Sequence, residues 1–231
     1  MVKPQHVPLA AYRILSYICI GLLFTAFLLS LLVGLSLPII KPIYLLKFYS
    51  VRTGQPETSI ATELRFGVWG VCANSALDEP TFFTDNSQCF GPMLGYTVPA
   101  DLIGLTGVSS TLVDAISQGL LVVLVLHPVV AGLSLATLAC SLFLASHKLS
   151  ILALVLAIIT ALVSTVIFAI DLAIVIVAKQ QVAELENLQF AIQWGNVPWM
   201  GLAAVILTWL AVIALSARAC YCFGVRPHGK F

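Results

Sequence analysis

Two ionisable side chains inside long apolar stretches, His127 and Asp171, are the residues of this sequence best placed to do chemistry. Asp171 lies eight residues before Lys179, and His127 lies nine residues after Gln118. At 1.5 Å per helical residue these intervals correspond to about 12 Å and 14 Å. The two stretches are separated only by residues 146–148, so they must run antiparallel, and the imidazole and the carboxylate can meet at similar depth.

A carboxylate inside a membrane span costs at least about 2.5–3.5 kcal/mol on insertion scales, so Asp171 is expected to face protein or water. We interpret the intramembrane pair of His127 and Asp171 mainly as a structural contact between two helices. A histidine beside a carboxylate also titrates near neutrality. The alternative is therefore a proton-responsive sensor, or a small channel or transporter, that uses both residues.

Cysteines outside the apolar stretches suggest two further sites. Cys72 and Cys89 share one long polar segment, where an oxidising compartment favours a disulfide worth roughly 3 kcal/mol; two free thiols or a metal pair is the competing interpretation. Cys220 and Cys222 lie at the end of the last apolar stretch, near Arg218. Their position suits palmitoylation, although unmodified cysteines fit equally well.

Sequence signatures of catalysis are missing. The chain has no Gly-rich phosphate loop, no H-E-x-x-H and no C-x-x-C sequence. Residues 132–136 resemble a nucleophile elbow only superficially, because the second glycine is replaced by alanine. We expect no enzyme activity, no catalytic residue, no cofactor and no metal site.

The composition shows what positions these residues. The 231 residues are 60% hydrophobic and only 9% charged, against about 25% charged in ordinary soluble domains. Four stretches reach the roughly 20 apolar residues that a membrane-spanning helix needs. The predicted organisation is a 1–13 N-terminus, spans 14–40, 116–145, 149–178 and 197–223, loops 41–115 and 179–196, a turn 146–148 and a tail 224–231.

The distribution of charge predicts the orientation. Both termini and the short turn share one side of the membrane, and that side carries basic residues and no carboxylate: Lys3, Arg13, Lys148, Arg218, Arg226 and Lys230. Basic residues next to spans stay in the cytoplasm. We therefore expect both termini in the cytoplasm, the 41–115 loop outside the cell, and a multi-pass protein of the plasma membrane.

The 41–115 loop is rich in β-branched and aromatic residues in three short pieces, 43–51, 64–72 and 90–98, which favour strands. The predicted fold is an all-α membrane fold, a four-helix transmembrane bundle with a small disulfide-linked extracellular β-sheet. Trp194 and Trp199 precede and begin the last span, where aromatic residues anchor helices at the membrane interface.

Small residues recur every four positions in the third span, namely Ala153, Ala157, Ala161, Thr165, Ala169 and Ala173. Such a small-residue stripe lets another helix approach closely. Thr160, Ser164 and Asp171 are assigned to a different face, so this helix is expected to pack on two sides. Packing within the chain is favoured over self-association, which stays open.

A family resemblance is carried by several motifs in order along the chain. Residues 66–72, followed by Cys89, are similar to the G-x-W-x-x-C … C signature of claudin-like four-span proteins, with Gly67, Trp69, Gly70 and Cys72 at the signature positions. Residues 126–132, Asp171 followed by Lys179, and residues 194–199 resemble the fungal PalI family, which includes eisosome-associated proteins. The resemblance implies a claudin-like fold in the fungal plasma membrane, with roles in ambient-pH response, membrane-domain organisation or cell-wall integrity.

Together these features favour a structural or regulatory plasma-membrane protein that acts by lateral association with membrane partners. The expected partners are the lipid bilayer and other integral membrane proteins, with a second copy of the chain as one option. A net charge of +1 excludes a strongly basic nucleic-acid binder, and no small-molecule substrate is indicated.

Overall fold

The computed structural model describes residues 10–37, 39–50, 63–74, 88–90, 110–142, 147–184 and 190–219. Four long helices dominate: α1 (Ala10–Gly34), α2 (Ser110–Leu142), α3 (His147–Glu184) and α4 (Val197–Ala219). In the described part of the chain, four helical segments are long and apolar enough to cross a membrane: Ile14–Gly34, Val125–Leu142, Leu149–Gln180 and Val197–Ala217.

The first apolar stretch does not stay helical to its end at residue 40. Helix α1 stops at Gly34, and the chain then turns, with Ser36 bridging to Ile40. Pro38 contributes to this ending because it has no N–H to continue the helical ladder. Helix α3 begins at His147, which lies inside the segment 146–148 predicted as a turn.

Five short strands form one antiparallel sheet in the order β4-β3-β2-β1-β5. They are β1 (Leu46–Ser50), β2 (Glu63–Phe66), β3 (Val71–Asn74), β4 (Gln88–Phe90) and β5 (Phe190–Trp194). The piece 64–72, expected to favour a strand, contains parts of two strands. That segment is a hairpin, because the Gly67 N–H donates to the Gly70 carbonyl 2.9 Å away and reverses the chain. Most of the 90–98 piece lies outside the described residues.

The two faces of the sheet differ in character, because side chains alternate along each strand. On one face, Leu46 belongs to a buried cluster to which three helices contribute Val33, Val175 and Val197, and Phe66, Ile192 and Trp194 pack against this cluster. The opposite face carries the cross-strand row of Lys47, Arg65, Cys72 and Cys89. A four-helix bundle with a small disulfide-linked sheet is thus confirmed as the fold class.

The chain divides into two compact units. One comprises Met1–Ser30, Val130–Thr165 and Ala203–Phe231, and the other comprises Leu31–Val129 and Val166–Leu202. The first unit has its own core, in which Leu23, Leu138, Ala157, Ala211 and Leu215 are buried together. The second unit contains the sheet.

The small-residue stripe of α3 does not stay on one side of the helix. Its first three members are fully buried, whereas Thr165, Ala169 and Ala173 are exposed. A four-residue step overshoots one turn by about 40°, so five steps rotate the stripe by about 200°. The prediction of a separate polar face was wrong as well. Asp171 follows Ala153 by eighteen residues, five full turns at about 3.6 residues each, and both are buried.

Candidate functional site

The end of α1 receives the β2–β3 turn through three hydrogen bonds. The Trp69 N–H donates to the Leu37 carbonyl at 3.0 Å, and the Val68 N–H donates to the Ser36 hydroxyl oxygen at 3.1 Å. The Trp69 indole Nε1–H donates to the Gly34 carbonyl at 2.5 Å. We call this docking of residues 67–70 on residues 34–37 the hairpin latch.

Position 67 requires glycine because the β2–β3 turn lies very close to Leu37. A Cβ on Gly67 would lie 2.7 Å from the Leu37 carbonyl oxygen and 2.9 Å from the Leu37 Cα. Leu37 is fully buried and cannot move aside. The signature glycine therefore has a packing role, and the signature tryptophan beside it supplies a hydrogen-bond donor.

A second docking contact joins the start of α4 to the segment before β1. The Gly195 N–H donates to the Leu45 carbonyl at 2.9 Å, and the Val197 N–H donates to the Tyr44 carbonyl at 3.2 Å. A Cβ on Gly195 would lie 2.7 Å from the Leu45 oxygen. The Asn196 side-chain amide adds a bond to the Pro42 carbonyl at 3.1 Å. The β2–β3 turn is thereby fixed to residues 34–37, and the residues after β5 are fixed to residues 42–45.

The predicted disulfide is present and joins neighbouring strands. Cys72 and Cys89 are directly paired in the β3–β4 register, with a Cα–Cα distance of 4.1 Å and a sequence separation of 17. Cys72 is 1% exposed. Beside it in the register, the buried Arg65 guanidinium lies 5.1 Å from the Tyr44 ring centroid, which is a cation–π distance. This contact could not be predicted from residue types or spacing.

The structure brings His127 and Asp171 together. The His127 Nε2 lies 3.4 Å from the Asp171 Oδ2, and the two side chains are 7% and 2% exposed. Asp171 Oδ1 is also buried and has no hydrogen-bond partner among the residues that the structure describes. Such a buried carboxylate is energetically sensitive, because removal of His127 takes away the cationic partner that the described part of the chain offers it.

Gly34 lies directly beside this intramembrane pair. A methyl group at Gly34 would stand 3.9 Å from the carbonyl carbon and oxygen of His127 and from the nitrogen of Pro128. Sequence reasoning missed Gly34, Ser36 and Leu37. A glycine and a serine close to a proline at the end of an apolar stretch were the sequence features that could have indicated a helix end with close contacts.

A smaller polar contact lies in the other unit. The hydroxyl oxygens of Thr137 on α2 and Thr160 on α3 are 3.3 Å apart. Each hydroxyl also reaches a carbonyl of its own helix, Leu133 or Leu156, at 2.8 Å. Since each hydroxyl has one proton, at most one of them bonds across the helices while the other bonds back.

The remaining predicted site residues are two tryptophans and two cysteines. Trp194 lies in β5 and packs against the buried cluster, whereas Trp199 in the first turn of α4 is 65% exposed. Cys220 and Cys222 lie outside the described residues. Within the described ranges, no group of three or more His, Cys, Asp or Glu side chains is arranged to hold a metal ion.

Comparison with known proteins adds one match. The family model described as SUR7/PalI family matches residues 12–220. A search of curated proteins found no match. The matched range covers all four helices but for the first two residues of α1, the sheet, the hairpin latch and the intramembrane pair.

Proposed function

Because the chain belongs to the SUR7/PalI family, we propose that it is a structural or regulatory protein of the plasma membrane that works by lateral association with other membrane proteins. Membrane-domain organisation, cell-wall integrity and ambient-pH response are the processes it would serve. We propose no enzymatic activity, since most of the described hydroxyl groups within the spans bond to carbonyls of their own helix.

The proposed orientation places both termini in the cytoplasm and the sheet outside the cell. The basic residues beside the spans support it through the positive-inside rule. The Cys72–Cys89 disulfide supports it independently, because disulfides persist in oxidising compartments. Epitope tags at either end should be accessible to antibody only after the membrane is permeabilised, and labelling of a terminal tag on intact cells would refute the orientation.

The exposed half of the small-residue stripe is the observation that carries lateral association. Thr165, Ala169 and Ala173 face away from the buried face of α3. In lipid there is no hydrophobic drive between helices, so association depends on close van der Waals approach, which small residues permit. Trp209 Nε1 donates to the Thr165 hydroxyl oxygen at 3.2 Å, and this bond fixes one edge of the surface.

A bulky substitution on this surface tests the proposal. Ala169→Leu should reduce proximity labelling of membrane partners, while Ala136→Leu, at an equally exposed alanine of α2, should not. Both substitutions add the same apolar volume on an exposed face, so folding should be equal. Unchanged labelling by Ala169→Leu, or an equal loss from Ala136→Leu, would refute the use of this surface.

The second candidate is a proton-responsive sensor, channel or transporter, favoured by the buried Asp171 Oδ1, which no residue in the described ranges hydrogen-bonds. Its test is a proton- or ion-flux assay on the full chain in liposomes. A specific flux that Asp171→Asn abolishes would replace lateral association as the function. Equal leakage with and without protein would remove the channel and transporter from consideration.

A further inference from the structure

Two independent contacts converge on Gly34, the last residue of α1. Its carbonyl oxygen accepts the Trp69 indole hydrogen bond, and its Cα faces the His127–Pro128 peptide. The residue four positions later is Pro38, which has no N–H to donate to that carbonyl. The helix cannot satisfy the Gly34 oxygen by its own ladder, so Trp69 takes the place of the missing backbone donor.

On the other side of Gly34, α2 is weakened at the same level. Pro128 removes one N–H from the α2 ladder, so the carbonyl oxygen of Leu124 loses its regular partner. A helix with a missing hydrogen bond bends more readily and depends on its neighbour for its course. The neighbour at this point is Gly34, where an added methyl group would stand 3.9 Å from the His127–Pro128 peptide.

From this arrangement we infer that the hairpin latch and the intramembrane pair are energetically coupled through Gly34. Trp69 fixes the position of Gly34, Gly34 supports the His127–Pro128 peptide, and that peptide sets where the His127 ring meets the Asp171 carboxylate. A change in the sheet that loosens Trp69 therefore weakens the His127–Asp171 contact. By linkage, loss of the pair weakens the latch to the same extent.

The coupling makes the sheet and the buried pair one conformational device. A ligand, a partner or a reductant that alters the sheet therefore also alters the His127–Asp171 contact inside the membrane. The route from the sheet to this contact is short, because it consists of the Trp69–Gly34 hydrogen bond of 2.5 Å and the proximity of Gly34 to the His127–Pro128 peptide, which an added methyl group would meet at 3.9 Å. The coupling is a property of the folded chain and does not depend on the process that the protein serves.

The test uses the full chain in lipid nanodiscs with isotope-labelled histidine. The sequence has four histidines, so the His127 ring signals are assigned by their loss in His127→Asn. Trp69→Phe keeps the ring but removes the N–H donor, and Gly34→Val would displace the His127–Pro128 peptide. Both should move the His127 signals towards those seen in Asp171→Asn. In the reverse direction, Asp171→Asn should move the Trp69 indole N–H signal.

Three controls match these variants. Gly34→Ala should leave the His127 signals unchanged, since its methyl group fits at ordinary contact distance. Gly21→Val places the same side chain on α1 where nothing lies within 4 Å. Trp199→Phe alters an exposed tryptophan. Neither of these last two should move the His127 signals.

Three results would overturn the inference. The first is His127 signals that stay fixed in both Trp69→Phe and Gly34→Val. The second is shifts of equal size in Gly21→Val or Trp199→Phe. The third is a double variant Trp69→Phe/Asp171→Asn whose unfolding constant equals the product of the single effects, where coupling requires a departure of about twofold or more. Should Trp69→Phe not fold, Gly34→Val against Gly34→Ala and Gly21→Val decides the question.

Discussion

Replacing His127 and Asp171 singly and together tests how the intramembrane pair stabilises the fold. His127→Leu removes the imidazole beside a buried carboxylate whose other oxygen, Oδ1, has no hydrogen-bond partner among the described residues. Leaving a buried charge uncompensated costs about 3–5 kcal/mol. Asp171→Val removes the carboxylate that lies 3.4 Å from the imidazole. Loss of a partner of this kind costs about 1–3 kcal/mol.

The double variant His127→Leu/Asp171→Val should be nearly as stable as the parent chain. Replacement of a buried ion pair by apolar residues of similar volume is often neutral or stabilising. Independent effects would instead sum to about 4–8 kcal/mol of destabilisation. The two expectations differ by several kcal/mol, which is far more than the error of a stability measurement.

The assay is reversible unfolding of the purified chain in mixed micelles by a denaturing detergent, followed by far-ultraviolet circular dichroism. Asp171→Asn is the conservative control, since its amide keeps the size and hydrogen-bonding capacity of the side chain, and it should fall between the parent and Asp171→Val. A double variant as unstable as the sum of its parts would refute the pair as a structural contact.

Three further predictions concern other contacts. Gly67→Ala should destabilise the chain by about 1–3 kcal/mol, because its methyl group would overlap the Leu37 backbone, whereas Gly132→Ala, with nothing within 4 Å, should not; equal unfolding midpoints would contradict this. Replacing both cysteines of the sheet disulfide by serine should lower the free energy of unfolding by roughly 3 kcal/mol, and an unchanged midpoint would show that the sheet holds without the bond. Thr137→Val should cost only about 0.6 kcal/mol, since the hydroxyls of Thr137 and Thr160 also bond within their own helices; a much larger loss would mean that the cross-helix bond dominates.

The helices and the disulfide were predictable because their causes are local. Twenty apolar residues in a row need lipid or a core, and two cysteines on one polar segment have one obvious partner each. The depth of His127 and Asp171 also followed from counting residues back from the two ends of a tight hairpin. These inferences need only the helical rise and the shortness of one connection.

The hairpin latch could not be predicted, because it depends on distant segments meeting. Nothing in residues 66–72 shows that Trp69 reaches a carbonyl thirty-five residues earlier in the chain. The same holds for Gly195, whose need for glycine arises from the Tyr44–Leu45 backbone. A glycine in a sequence signals close approach, but the approaching partner is known only from the fold. The hairpin within 64–72 was missed for the related reason that two short strands and a four-residue turn look like one β-rich run.

The rotation of the α3 stripe shows why period matters more than composition in a membrane helix. A four-residue repeat of small residues looks like one continuous contact surface in the sequence, yet the helix returns to the same face only after about 3.6 residues. Ala157 is accordingly fully buried in a core, and Ala169 is exposed. The residue that continues the buried face is Asp171, which is a carboxylate. Its position on the face that begins with Ala153 explains why a charged side chain is tolerated in a span, because this face is the one turned away from lipid along the helix. The exposed alanines that remain are not needed for packing within the chain, and this leaves them free to meet a partner.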